Sequence, residues 1–375
     1  MSTTSPLHQA LGLCLEHRFT FAAFRVPGGP VTLWVQRNPD LEPVDAAYLG
    51  RLNEAFLVAP FTYDPQATHF VRNDVELTFG ELPVTLEPLH GCVGGTAAER
   101  SRPHDAQRSD YEALVREAKN AIAAGTLDKV VASRTVTMPL ERAQLAALFE
   151  DALDRMPHAF VALVNTPEHG TWLGASPERL LTAEDDLVHL DALAGTRPRS
   201  DAPALAEDWN PKERREQVLV TREIVGQLIE LGLPRIALHG PRPVDAGGVS
   251  HLRTEVEADL GNCSLDEVLV AVHPTPAVCG TPRQAANVFI ANHEGPGRGL
   301  YTGFWGPWNA DGRTELFVNL RCMEAFDDAV ALHVGAGVTD GSEPEAEWRE
   351  TEAKAAAWTA AIRSLHSARV SSPAR

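Results

Sequence analysis

The stretch Ser109–Val136, SDYEALVREAKNAIAAGTLDKVVASRTV, changes its periodicity halfway. In the first half Tyr111, Leu114, Val115, Ala118 and Ile122 recur on one helical face. Ser109 and Glu112 stand at capping-box spacing, and Gly125 suits the C-terminal cap. The second half, Lys129–Val136, is rich in β-branched residues and reads as a strand. A helix that feeds directly into a strand predicts a mixed fold.

Upstream, Phe19–Phe24, Val31–Val35, Val75–Phe79 and Leu82–Leu86 predict short strands between Pro, Gly and Asp turns. Gly94–Arg108 is polar and poor in apolar residues, and predicts a linker. Downstream, strands are expected at Phe160–Val164, His189–Ala192, Leu316–Arg321 and Ala331–Gly335. Asn210 as N-cap and Pro211 at the first position open a second helix that closes at Gly232–Pro234. A third runs from near Ser342 to about Leu365. Strand clusters among a few long helices, without regular βαβ spacing, point to an α+β fold. The chain divides into a β-rich N-terminal region (1–105) integrated into the fold, a chemistry-bearing region (106–368) and a tail (369–375).

Composition narrows the function. The 375 residues carry 33 basic and 51 acidic side chains, a net charge of −18, and no basic patch. Such a chain repels phosphate backbones, so nucleic acid is a poor partner. Mean hydropathy is −0.17, and neither a membrane span nor a secretory leader is legible. Five scattered cysteines without a CxxC pair fit reduced thiols, and so a cytoplasmic protein. No GxGxxG or Walker motif indicates nucleotide phosphates, and no His–Cys spacing indicates zinc. Only four lysines occur, Lys119, Lys129, Lys212 and Lys354, against 29 arginines. Where Arg replaces Lys so widely, the remaining lysines are enriched at places that need a compact, titratable amine.

Two helices carry acids on otherwise apolar faces. Glu216 continues the stripe of Val220, Ile224, Leu228 and Leu231, where a carboxylate is costly unless paired or metal-bound. A solvated first turn, where acids favour the helix dipole, would also accommodate it. Glu347, Glu350, Lys354 and Trp358 share one face of the C-terminal helix, although Glu350 and Lys354 are also an ordinary i,i+4 pair. Two acid-bearing helices suit Mg²⁺, a hard ion that takes one or two carboxylates and keeps room for other oxygens. The Gly-rich turn before the last helix, GAGVTDGSEP, exposes backbone N–H groups to an anion.

Ten blocks in order, KVVASR, GASPERLL, LAGTRPR, KERREQ, HLRT, HPTPAVCGTP, GLYTGFWG, LFVNLR, GAGVTDGS and PEAEWRETEAK, resemble the chorismate-utilising enzymes. The resemblance covers roughly Tyr111 to Trp358 and implies layered, mostly antiparallel sheets with helices outside and a deep central cleft. Within the family, which includes salicylate and anthranilate synthases, the chain is most similar to the isochorismate synthases. These are isomerases that exchange the C4 hydroxyl of chorismate for one at C2 and feed menaquinone or catecholate siderophore synthesis. The resemblance makes Lys129 the base that activates water and Glu178 the acid that protonates the departing hydroxyl. It makes Glu216 and Glu350 the Mg²⁺ ligands, with Glu347 nearby. Thr196, Ala277, Val278, Tyr301, Arg321, Gly335 and Lys354 then line the substrate pocket. A lysine serves as a base, and a glutamate as an acid, near neutral pH only where the surroundings shift their pKa values.

Other members fit less well. Aminodeoxychorismate synthases carry a nucleophilic lysine where this chain has Ala194. Anthranilate synthases need a glutaminase partner, which is not expected here, and the family commonly works as a monomer. Salicylate synthases, which go on to expel pyruvate, share nearly every block and are longer. A non-catalytic binder on the same scaffold would have lost Lys129, Glu178 or a metal acid, and all are present. Gln217 stands where relatives often have His after the Glu, and His251 reads as a polar cleft residue or, more readily, a satisfied structural histidine.

Overall fold

A computed structural model describes residues 5–370 apart from 42, 44–48, 65–67, 81, 97, 247 and 296. Two antiparallel sheets form its centre. The first, of nine strands, contains β1 (Phe21–Arg25), β2 (Val31–Val35), β5 (Val75–Phe79), β6 (Lys129–Pro139), β7 (Phe160–Thr166), β8 (Gly170–Ser176), β13 (Gly280–Thr281), β16 (Cys322–Ala325) and β17 (Ala329–Val338). Its order is β13-β6-β17-β16-β8-β7-β1-β2-β5. The second, of eight strands, contains β3 (Ala55–Ala59), β4 (His69–Arg72), β9 (Arg179–Glu184), β10 (Leu187–Pro198), β11 (Ile236–Ala246), β12 (Val249–Asp259), β14 (Phe304–Trp308) and β15 (Thr314–Val318). Its order is β11-β12-β10-β9-β15-β14-β3-β4.

Period-2 alternation gives each sheet two usable faces. On the outer face of the first, Leu163, Leu173, Met323 and Leu332 pack against α1 (Pro6–Glu16), α3 (Leu145–Arg155) and α7 (Pro344–Val370). On the outer face of the second, Leu181, Leu190 and Val256 meet α4 (Pro211–Glu230) and α5 (Leu265–Val272). Phe24, Phe56, Phe160, Trp305 and Phe317 fill the space between the sheets. There the Phe160 and Phe317 rings stack with centroids 4.2 Å apart. The α+β layering is therefore helix, sheet, sheet, helix. The remaining helices, α2 (Arg108–Ala123) and α6 (Arg283–His293), close the β6 end. Among the described residues no helix is long and apolar enough to cross a membrane.

Several local expectations need correction. Leu82–Leu86 pairs with no strand; Pro83 cannot donate to a ladder. Helix α2 starts one residue early, at Arg108 after Gln107, and the Ser109–Glu112 box does not form. Glu112 is drawn instead to Arg108 at 2.7 Å and Arg116 at 3.2 Å. Strand β15 stops at Val318, short of the expected Arg321, whose φ of +47° is incompatible with a strand. The last helix continues past Leu365 to Val370, so the expected tail begins inside it, and 371–375 lie outside the described residues.

Candidate active site

One cavity collects the chemistry. Glu178, Thr196, Glu216, Ala277, Val278, Tyr301, Arg321, Gly335, Glu350 and Lys354 all line it, from both sheets and from α4 and α7. Of the residues expected there, only Lys129 stands behind the wall; it is fully buried, and its Nζ lies 2.9 Å from Glu216 Oε1. The contact is ionic, because Nζ has no hydrogen bond of good geometry.

Local sequence explains the placement of Glu216. The Asn210 side chain accepts from the N–H groups of Lys212 and Glu213, fixing the start of α4. Val220, Ile224 and Leu228 bury the stripe against the second sheet, so Glu216, one turn earlier, points at the cavity. Ammonium neighbours pull its carboxyl below the usual range, Lys129 foremost, and outweigh the effect of burial. Gln217, beside it, is buried, and its amide donates to Ala192 O at 2.9 Å and Thr254 Oγ1 at 3.0 Å.

Two glycines allow the Lys129 contact. A Cβ on Gly337 would fall 2.5 Å from Glu216 Oε1 and 3.1 Å from Lys129 Cε. One on Gly280, in the rim strand β13 beside β6, would fall 2.3 Å from Lys129 O. Gly337→Ala is therefore expected to separate Lys129 from Glu216 and lower kcat by about 10²-fold, as misplacement near 1 Å does. Steady-state kinetics on the folded variant would check it, and an unchanged kcat would remove the pair from the account.

Glu178 follows Ser176-Pro177 in the β8–β9 turn; its N–H is 3.2 Å from Ser176 Oγ and its carbonyl accepts from Val318 N–H at 3.1 Å. The side chain is buried, and among the described residues Oε1 has no hydrogen-bond partner. Burial foremost, then the negative charge of Asp191, pushes its pKa up to about 8 against the pull of Lys129 and Lys354. That shift favours the protonated carboxyl near neutral pH.

Arg321 forms no ion pair among the described residues, and burial alone pulls its pKa down to about 10. A half-buried guanidinium without a counter-charge attracts an anion. Its backbone is held at positive φ because Trp358 Nε1–H and Ala175 N–H donate to its carbonyl at 2.7 and 3.2 Å. Thr302, at φ +61°, is a second strained residue in the lining, unusual for a β-branched side chain. Lys354 Nζ lies 2.8 Å from Glu350 and donates to Gly335 O at 2.7 Å. His251 also lines the cavity, with Nδ1 3.2 Å from Gly195 O and 3.1 Å from Thr196 Oγ1. Burial, reinforced by Arg321 and Lys354, pulls its pKa down to about 3, so the ring is neutral.

The wall behind Tyr301 rests on the fully buried pair Arg298–Glu294 at 2.8 Å, whose guanidinium also donates to Val131 O and Val278 O. Arg298→Met would leave the Glu294 carboxylate without its cation, held only by the Ser133 N–H and hydroxyl, and cost about 3 kcal/mol. Urea denaturation would check this, and a loss under about 1 kcal/mol would contradict it.

The four lysines meet here. Lys129, Lys354 and Lys212 hold Glu216, Glu350 and Glu347, the last at 2.7 Å, while Lys119 donates to Ser342 O beside the start of α7. Among the described residues no group of three His, Cys, Asp or Glu is arranged to hold a metal. Two carboxylates on facing helices, Glu216 and Glu350, nevertheless line one cavity with its remaining space open to other oxygens. That donor set fits a hard divalent cation. Sequence reasoning missed His333, Thr302, Gly337 and Leu193 in the lining; only glycine itself at 337 carried a signal, and its GAGV run, expected to open a turn, is the end of strand β17.

The two-sheet α+β body thus brings an acid, a buried amine and a guanidinium without an ion pair among the described residues to one cavity wall. The family model for chorismate binding enzymes matches residues 81–360, and the chain belongs to that family. It is 35% identical over 263 residues to isochorismate synthase DhbC of Bacillus subtilis, covering 65% of each chain. It is 33% identical over 329 residues to anthranilate synthase component 1 of Streptomyces coelicolor, covering 82% of this chain and 62% of that one. The chain thus spans slightly under two thirds of the length of these relatives. Its fold is similar to that of MenF, the menaquinone-specific isochorismate synthase of Escherichia coli, with a TM-score of 0.75 at 22% identity over 94% of this chain and 91% of that one.

Proposed function

We propose that the protein is an isochorismate synthase that attaches water at C2 of chorismate and removes the C4 hydroxyl. The observation that carries this is a carboxylic acid in the cavity lining that burial biases toward its protonated form (Glu178), with a fully buried amine (Lys129) behind the same wall, 2.9 Å from the lining residue Glu216. An acid and a base acting on one ring can exchange one hydroxyl for another. Glu178 donates its proton to the C4 oxygen as the C–O bond breaks, and water leaves. Lys129 takes a proton from the water that attacks C2. Arg321 and Lys354 receive the carboxylates of the dianionic substrate, which the net charge of −18 would otherwise repel. Ala277 and Val278 give the ring an apolar wall, and Thr196 and Tyr301 offer hydroxyls.

Glu216 and Glu350 would hold Mg²⁺, which would neutralise the ring carboxylate and polarise it. Glu350→Gln is then expected to raise half-saturating Mg²⁺ about tenfold or more. A titration of rate against Mg²⁺ would check it, and an unchanged requirement would remove Glu350 from the ligand set. Five free thiols support a reduced, cytoplasmic setting, and the reading requires no glutaminase because water is the nucleophile. Turnover by a monomer supplies isochorismate to menaquinone or catecholate siderophore synthesis. Turnover in ¹⁸O-labelled water tests the chemistry: the product should gain one labelled oxygen per molecule, and unlabelled isochorismate would contradict attack by solvent.

A further inference from the structure

The residue after the proposed acid belongs to a half-buried charge cluster that the reaction does not explain. Arg179 Nη2 lies 3.0 Å from Asp191 Oδ1 and 2.8 Å from Glu255 Oε2. On the other side, Arg253 Nη1 approaches Asp191 Oδ2 at 3.7 Å. The four residues belong to β9, β10 and β12, and Asp191 is their deepest member, with its side chain 3% exposed. Burying a carboxylate beside two guanidiniums is costly, and an apolar residue would serve packing as well. The cluster lies at the base of the turn that holds Glu178, whose Oε1 is itself buried and, among the described residues, without a hydrogen-bond partner.

We infer that Asp191 is a positioning residue for Glu178: clamped by Arg179 and Arg253, it fixes the start of β9 and, through Arg179, the turn that carries the acid. This rests on the proposed reaction, in which Glu178 must carry a proton. The charges that act on Glu178 come from three elements. Asp191 on β10 opposes its ionisation, and Lys129 on β6 and Lys354 on α7 favour it. Arg321, Glu216, Glu350 and the neutral His251 line the same cavity. Two ammonium groups alone would strip the proton from the acid; burial and Asp191 are what oppose them. Arg179 and Arg253 moderate the cluster without cancelling it, since both point at Asp191 and not at Glu178.

The test is the pH profile of kcat/KM for chorismate in Asp191→Asn, Arg179→Gln and Glu255→Gln. Asparagine keeps the shape and can still accept from Arg179, so Asp191→Asn should fold and move the basic limb down by about one pH unit. Arg179→Gln removes the cation facing Asp191 and should move the limb up. Glu255→Gln, which alters the clamp at its exposed end, should leave the limb where the wild type has it. Opposite shifts from two members of one cluster are not produced by loosened packing. An unmoved limb in Asp191→Asn, or equal downward shifts in all three, would overturn the inference. Should Asp191→Asn fail to fold, the direction in Arg179→Gln decides alone. A wild type that makes no isochorismate would instead defeat the underlying reading, which separates the two failures.

Discussion

Replacing Lys129 with alanine is expected to lower kcat about 10²- to 10⁴-fold, the range supplied by one general base. The amine is fully buried, so solvent cannot substitute for it from outside. Lys129→Gln should lose as much, because an amide offers Glu216 an N–H donor without the basicity. The comparison separates chemistry from structure: alanine strands Glu216, which otherwise pairs with Lys129 at 2.9 Å, whereas glutamine leaves it a donor. Steady-state kinetics with circular dichroism on both variants would check this. A near-normal kcat in either would remove Lys129 from the reaction.

Replacing Glu178 with glutamine should cost a comparable factor and also change the shape of the pH profile. On the proposed reaction, Glu178 must be protonated to act. Its pKa is pushed up to about 8, so its contribution is complete below that value and is lost as pH rises through it. The basic limb of kcat/KM should therefore fall near pH 8, and the residual activity of Glu178→Gln should lack that limb. A limb that persists unchanged in the variant would belong to another group.

These sites were legible in the sequence to unequal degrees, for physical reasons. Helix α4 was readable because its cap, Asn210, its Pro211 and its apolar stripe are all local signals. The same logic failed at α2, where Arg108 and Arg116 compete for the Glu112 carboxylate that a capping box needs. Helix α1 had an overlooked signal, since Ser5 caps it by accepting from His8 N–H and Pro6 is its first residue. Strand β3, the continuous apolar run AFLVA, has no alternation to read, because aromatic packing and helices cover both its faces.

At the site, residue types were readable and strain was not. The lysine count drew attention to Lys129, and all four lysines do converge on one region. Nothing in the sequence marks the positive φ of Arg321 or Thr302, which depends on hydrogen bonds from residues distant in the chain. The Arg179–Asp191–Arg253 cluster is equally non-local: three strands must pair in register before those charges meet.

The most direct test of the central claim is product analysis. Purified protein, chorismate and Mg²⁺, with no ammonia source, should give isochorismate in equilibrium with chorismate and no pyruvate. Salicylate with stoichiometric pyruvate, or turnover that begins only when ammonia is added, would contradict it.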